Sequence, residues 1–171
     1  EAAFRGGADT LVLCDTNGGS LPEEVYAITK AVVERFPGVR VGIHPHNDAD
    51  LAVANALAAV RAGATHVQGT INGYGERGGN LNLTRSLPTL VFKYGIPAIS
   101  PEKLRELREV SHFVDERANL TPNRRAPYVG EAAFAHKAGV HVSAVLKNPR
   151  TYEHIPPEWV GNQRRFLVSD V

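Results

Sequence analysis

The sequence predicts an α/β fold, with parallel strands joined by helical crossovers and a mostly helical segment appended. Three observations carry this prediction. Short apolar runs without polar alternation, Thr10 to Cys14 and Val39 to Ile43, read as strands buried on both faces of a parallel sheet. Each run is followed by a polar turn and then by apolar residues at helical spacing. The unit then repeats, with Gly63-Ala64-Thr65 echoing Gly7-Ala8-Asp9 ahead of the next strand.

In chain order, Glu1 to Arg5 reads as the last turn of a helix, with Gly6 and Gly7 as its stop. After the strand Thr10 to Cys14, the turn Asp15-Thr16-Asn17-Gly18-Gly19 leads to Ser20-Leu21-Pro22-Glu23. This matches a capping box with Ser20 as N-cap. Leu21, Val25, Ile28 and Val32 mark the apolar stripe of the helix, which ends before Pro37-Gly38. The strand Val39 to Ile43 leads to a helix capped by Asn47 or Asp48, with Val53, Leu57 and Val60 on one face and Gly63 as its stop. His66-Val67-Gln68 reads as a third strand, followed by a glycine-rich stretch from Gly69 to Asn80.

A helix through Leu83, Leu87, Leu90 and Val91 comes next, where Pro88 implies a kink or a late start. Ser100-Pro101 opens another, with Leu104, Leu107, Val110 and Val114 as its apolar positions. Thr121 to Gly130 breaks the regular pattern. The expected organisation is therefore a strand-helix part over 1–97, a helical linker subdomain over 98–130 and the start of a second appended subdomain over 131–171.

A closed barrel of eight such units takes about 250 residues. Three units form either a small open sheet or the later part of a barrel. The chain has no methionine, begins inside what reads as a helix and stops at Val171 without a terminating pattern. That favours a piece of a longer polypeptide: the C-terminal portion of a (β/α)8 TIM barrel with its appended subdomain.

With 171 residues, a formal net charge of +1 and 43% hydrophobic residues, the composition is that of a globular protein with one core. Near-neutral charge gives no case for nucleic acid or an anionic membrane as partner. No apolar run approaches the roughly 20 residues of a membrane span, and no signal segment opens the chain. Cys14 is the single cysteine, so an intramolecular disulfide is excluded. A cytoplasmic location is expected.

The chemistry centres on Gly42-Ile43-His44-Pro45-His46-Asn47-Asp48. Side chains two apart on a strand share a face, so His44 and His46 can converge on one cation. Pro45 cannot donate to a ladder, which puts the pair at the carboxyl end of the strand, where α/β folds keep their sites. The alternative is two surface histidines that cap a strand. In the glycine-rich stretch, successive glycines let backbone amides turn toward an anion or a tightly held ligand, or else form a flexible surface loop. Cys14 is expected as a small buried apolar residue, and Arg164-Arg165 as a solvated pair. His66, His112, His136 and His154 are expected to be surface or structural.

Together, His44-Pro45-His46-Asn47-Asp48 and Gly73-Tyr74-Gly75-Glu76-Arg77-Gly78-Gly79-Asn80 resemble the paired signature of the 2-isopropylmalate, homocitrate and citramalate synthase family. These are metal-dependent TIM-barrel enzymes that condense an acyl-CoA with a 2-oxo acid. Leu13 to Gly19, Val67 to Tyr74, Phe134 to Lys137 and Tyr152 to Ile155 are most similar to its citramalate-forming branch. The resemblance implies that His44, His46 and Asn80 serve a divalent metal (Zn, Mn or Mg), Asn80 directly or through water. It implies that Thr16 holds the carboxylate of the 2-oxo acid, that Glu76 lines the active site, and that His141 and Tyr152 take part in proton transfer.

It further implies acetyl-CoA and pyruvate as substrates, a homodimer in which the appended subdomain reaches the partner's site, and an Arg-Asp signature earlier in the family's chain that supplies another metal ligand. Asp50, Ala138 and Ser143 depart from the family pattern. Ser143 bears on the tuning of His141, because it stands where an aspartate is usual. Alternatives are 2-isopropylmalate or homocitrate synthesis, an acyl-CoA lyase or aldolase on the same scaffold, and, for these 171 residues alone, an inactive metal-binding or assembly module.

Overall fold

A computed structural model describes residues 1–167. The last four positions of the segment expected over 131–171 lie outside the described residues. The chain divides into two compact units, Glu1–Ser86 and Leu87–Val171.

The first unit runs α1 (Ala2–Arg5), β1 (Thr10–Asp15), α2 (Pro22–Arg35), β2 (Arg40–Pro45), α3 (Ala52–Arg61) and β3 (His66–Val67), then a 3-10 turn over Ile71–Gly73. The three strands form one parallel sheet in the order β1-β2-β3. This is the predicted α/β architecture, successive βα units of a TIM barrel.

The register assigns the two faces of the sheet. Leu13 pairs with Ile43 and Ile43 with Val67, and these three side chains join a core with Val25, Ala52, Ala56, Ala59 and Leu81. Leu81 is fully buried, a contribution of about 2 kcal/mol relative to leaving it in water. The other face carries Val12, Cys14, Gly42, His44 and His66. It has no covering layer of apolar side chains among the described residues.

That open face corrects two expectations. β1 is half-buried rather than buried on both sides, and Cys14 is exposed.

The start of α2 falls one residue later than the expected capping box. The Ser20 hydroxyl donates to Asp15 Oδ1 at 3.0 Å, so Leu21 becomes the N-cap, and its N–H donates to Glu24 Oε2 at 2.8 Å. The buried positions of α2 are Val25 and Thr29, while Leu21 and Ile28 are exposed. On α3 alanines form most of the buried stripe, and Val53, Leu57 and Val60 flank it half-buried. The N-cap of α3 is Leu51 rather than Asn47 or Asp48, because the chain makes a further turn after the histidines before the helix begins, although Asn47 Oδ1 accepts from Ala52 N at 3.1 Å. Gly63, at φ +108°, closes the unit after α3; a Cβ there would come within 3.2 Å of Val33.

α4 (Leu83–Tyr94) continues through Pro88, which is buried. The second unit then holds α5 (Pro101–Leu104), α6 (Leu107–Arg117), β4 (Ala135–His136), α7 (Gly139–Lys147), 3-10 turns over Pro149–Thr151 and Pro157–Val160, and β5 (Arg165–Phe166). β4 and β5 pair in parallel. The single helix expected from Pro101 is two helices, and its buried positions are Leu104, Leu107, Ser111 and Asp115, leaving Val110 exposed. Leu104, Leu107, Tyr128, Val129, Phe134, Ile155 and Val160 make the core.

A buried carboxylate organises the rest of this unit. Glu153, 5% exposed, accepts from Arg164 Nε at 2.8 Å and Nη2 at 2.6 Å, and lies 3.0 Å from His136 Nε2. The Arg164 hydrogen bond, with help from His136, holds the Glu153 carboxyl below the usual carboxylate range against the opposing effect of burial. Arg165 pairs with Glu131. The two arginines, still partly solvated, are each paired with a carboxylate, and His136 is structural as expected. No helix among the described residues is long and apolar enough to cross a membrane.

Candidate active site

The turns that follow β1, β2 and β3 are laced together at the carboxyl ends of the strands. Asp15 anchors the first. Buried at the end of β1, it accepts from Ser20 Oγ and, at 3.4 Å, from Asn55 Nδ2, which also donates to Ser20 O at 2.9 Å. This leaves Thr16 and Asn17 exposed at the tip. Gly18 allows the second turn to come close, since a Cβ there would lie 2.3 Å from Asp48 Oδ2.

His44 and His46 are half-buried, with ring centroids 5.3 Å apart. Period-two geometry has thus brought the two imidazoles together. His46 forms a backbone bridge to Asn80, the Asn47 N–H donates to Gly79 O at 2.9 Å, and Leu81 N–H donates to Pro45 O at 3.1 Å. The glycine-rich loop is thereby stitched to the histidine turn.

The loop lies at the surface, with residues 74–78 exposed, and several of its glycines serve close packing. Gly79 N–H donates to Glu76 O at 2.8 Å and Asn80 N–H to Gly73 O at 2.9 Å, so these two amides are satisfied within the loop. At Gly79, φ +91°, a Cβ would lie 2.1 Å from Gly73 O, and at Gly75 it would lie 2.7 Å from Asn80 Cγ. The loop is wound tightly around the Asn80 side chain. Asn80 Oδ1 is buried there without a hydrogen-bond partner among the described residues.

Arg77 ties the three turns. Its Nε donates to Asp48 Oδ1 at 2.7 Å, and its Nη2 donates to Asp48 Oδ2 at 3.0 Å, to Thr16 O at 2.7 Å and to His46 Nδ1 at 2.7 Å. The guanidinium holds the Asp48 carboxyl below the usual carboxylate range, and Asp48 in turn raises Arg77. A cleft of about 560 Å³ opens beside it, lined by Cys14, Asp15, Thr16, Asn17, Ser20 and Arg77. Thr16 therefore edges a cleft, while Glu76 is exposed in the neighbouring loop. On the open face of the sheet, Gln68 bridges His44 and His66. Neither Arg77 as a tie nor Gln68 as a bridge was singled out by the sequence; the alternation of His66 and Gln68 on one face is the signal that could have found the second.

His141 and Tyr152 belong to the second unit. His141 lies on α7, Tyr152 follows the 3-10 turn over Pro149–Thr151, and their exposed rings stack with centroids 4.3 Å apart.

Among the described residues no group of three or more His, Cys, Asp or Glu side chains could hold a metal ion. The turns after β2 and β3 hold two imidazoles and, on the residue joined to His46 by a backbone bridge, an unpartnered amide oxygen. An orphaned buried amide oxygen is costly, and a cation beside it would satisfy it. The residues thus fit a divalent ion with nitrogen and oxygen ligands and further positions to fill. A guanidinium cannot accept a hydrogen bond, so Arg77 occupies the His46 Nδ1 lone pair, and ligation through that nitrogen requires Arg77 to release it.

The pattern of the HMGL-like family matches residues 1–114, and that of the homocitrate synthase post-HMGL domain-like family matches 128–170. The chain is 60% identical to the (R)-citramalate synthase of Aquifex aeolicus over 171 residues, all of this chain and 32% of that one. To the homocitrate synthase of Pyrococcus abyssi it is 43% identical over 161 residues, 94% of this chain and 43% of that one. Among solved structures, the HMG-CoA lyase of Bacillus subtilis superposes with a TM-score of 0.61 at 26% identity, over 72% of this chain and 43% of the lyase. The chain spans about a third of the length of the curated citramalate synthase it matches, 32%.

Proposed function

The chain belongs to the HMGL-like family, and from that premise we propose that its protein is a metal-dependent acyltransferase that condenses acetyl-CoA with pyruvate to give (R)-citramalate and CoA, a step toward isoleucine. The observation that carries the choice of product is identity of 60% to a citramalate synthase against 43% to a homocitrate synthase.

The reaction removes a proton from the acetyl methyl group, joins that carbon to the ketone carbon of pyruvate, protonates the ketone oxygen and hydrolyses the thioester. His44, His46 and Asn80 would hold the divalent ion, together with an oxygen ligand from the family's Arg-Asp signature. When bound, the ion supplies Lewis acidity to the ketone oxygen. The Thr16 hydroxyl, at the edge of the cleft, donates to the pyruvate carboxylate. Arg77 holds the Thr16 turn against the histidine turn, so that carboxylate and ketone are received at a set separation. Glu76, in the same loop, lines the site.

His141 is the acid/base group for one proton transfer. Tyr152 stacks on its ring at 4.3 Å and assists by holding the imidazole in place. In the homodimer that the family resemblance implies, this pair acts in the partner's site.

Release of free CoA by the full-length protein, with pyruvate, 2-oxoisovalerate and 2-oxoglutarate offered separately and with or without a chelator, tests this. Chelator-sensitive release with pyruvate alone is expected. Preference for another acid moves the protein to a sister synthase, and cleavage of an acyl-CoA without condensation moves it to the lyases.

A further inference from the structure

We propose that Gln68 is a positioning residue that fixes His44 in the tautomer whose Nε2 is free to bind a cation; the inference rests on the metal-dependent reading above. Gln68 follows β3 and lies on the same side of the sheet as His66. Its Oε1 is 2.9 Å from His44 Nδ1, and its Nε2 is 3.2 Å from His66 Nε2.

An amide oxygen only accepts and an amide nitrogen only donates. Oε1 therefore requires a proton on His44 Nδ1, which leaves the lone pair on Nε2. The amide nitrogen requires a lone pair on His66 Nε2, which puts that ring's proton on Nδ1. Neutral imidazole has one nitrogen of each kind, so the row His66-Gln68-His44 is satisfied without a charge. Turning the amide over reverses both rings, places a proton on His44 Nε2 and closes that nitrogen to a cation. This reversed arrangement is the one an experiment must exclude.

The backbone makes room for the row. Gly42 is the register partner of His66, and a Cβ on Gly42 would come 2.8 Å from His66 Cδ2 and 3.0 Å from His66 O. Glycine at 42 lets the His66 ring lie over β2, within reach of Gln68. A metal-binding imidazole commonly has its second nitrogen held by a hydrogen-bond partner, which sets both ring orientation and basicity. Gln68 is placed to do this for His44.

The test uses the full-length protein with labelled histidine ring nitrogens. NMR of the metal-free protein reads which nitrogen of His44 carries the proton, its signal being assigned by its loss in His44→Asn. Wild type and Gln68→Glu, which keeps an accepting oxygen, are expected to show the proton on Nδ1, and Gln68→Leu a mixture of tautomers. Affinity for Mn(II), measured by competition with a chelating dye, should fall roughly 10-fold in Gln68→Leu, the low end for loss of a ligand's partner because the bond is exposed. It should be retained in Gln68→Glu.

A proton on His44 Nε2 in the wild type, or a Gln68→Leu protein that keeps both tautomer and affinity, overturns the role. A wild-type protein that binds no divalent ion overturns the metal-dependent reading instead, and the tautomer, read without metal, still decides whether Gln68 orients His44.

Discussion

Two of the imidazole clusters among the described residues are finished differently. In the second unit, His136 is buried and hydrogen-bonded to Glu153, and Glu153 is closed off by two further bonds from Arg164. At the end of β2, His44 and His46 stand half-buried beside Asn80, whose Oδ1 is buried without a partner. The first cluster uses its hydrogen bonds on itself and holds a subdomain together. The second withholds one, and a tightly wound glycine loop keeps it that way. Histidine by itself marks neither stability nor function; the two clusters differ in whether the groups beside it are satisfied.

Four outcomes break or sharpen that contrast, all in the full-length protein. The largest concerns His141, exposed and stacked on Tyr152. His141→Ala should lower turnover by roughly 10²–10⁴-fold with Mn(II) affinity unchanged, as read by steady-state CoA release beside dye competition; near-normal turnover removes it from the chemistry. Next, His44→Ala should weaken Mn(II) binding by more than roughly 100-fold, beyond what loss of a ligand's neighbour costs. Its denaturation midpoint should stay close to wild type, because the His44 side chain lies on the open face of the sheet and is not part of the core.

Glu153→Ala should do the reverse. Removing the carboxylate strands Arg164 and His136, and breaking a buried pair costs about 3–5 kcal/mol. Arg164 is a third exposed (34%), so about 3 kcal/mol is expected, measured as urea stability. Mn(II) affinity should be unaffected.

The smallest effect is on pH dependence. Folding depresses the Glu153 carboxyl, so its stabilising contribution is complete above the unfolded carboxylate range of about 4.3 and is lost as pH falls through the lower folded value. Stability of the wild type should therefore drop below about pH 4.3, and Glu153→Gln should show a shallower fall. Identical acid profiles would show that Arg164 and His136 do not hold the charged form.

Much of the architecture and part of the site was legible in local sequence. Strand runs, the Ser100 cap of α5 and the convergence of His44 with His46 depend on neighbours within a few residues, and there the reading of the chain agrees with the structure. The failures have non-local causes. Ser20 does not cap α2 because Asp15 takes its hydroxyl, and Cys14 is exposed because one face of the sheet is open. Arg164 and Arg165 find their carboxylates 11 and 34 residues away, beyond any spacing rule. Gln68 and Arg77 escaped for the same reason: each matters through a partner on another strand or turn. The orphaned oxygen of Asn80 depends on how the whole loop closes around it.

The most direct measurement is anomalous diffraction from crystals of the full-length protein grown with Mn(II). The account predicts a peak at coordination distance from His44, His46 and the Oδ1 of Asn80, with Arg77 withdrawn from the His46 nitrogen it holds if that nitrogen is the ligand. A peak elsewhere, or none at saturating Mn(II), would show that these three residues are not a metal centre.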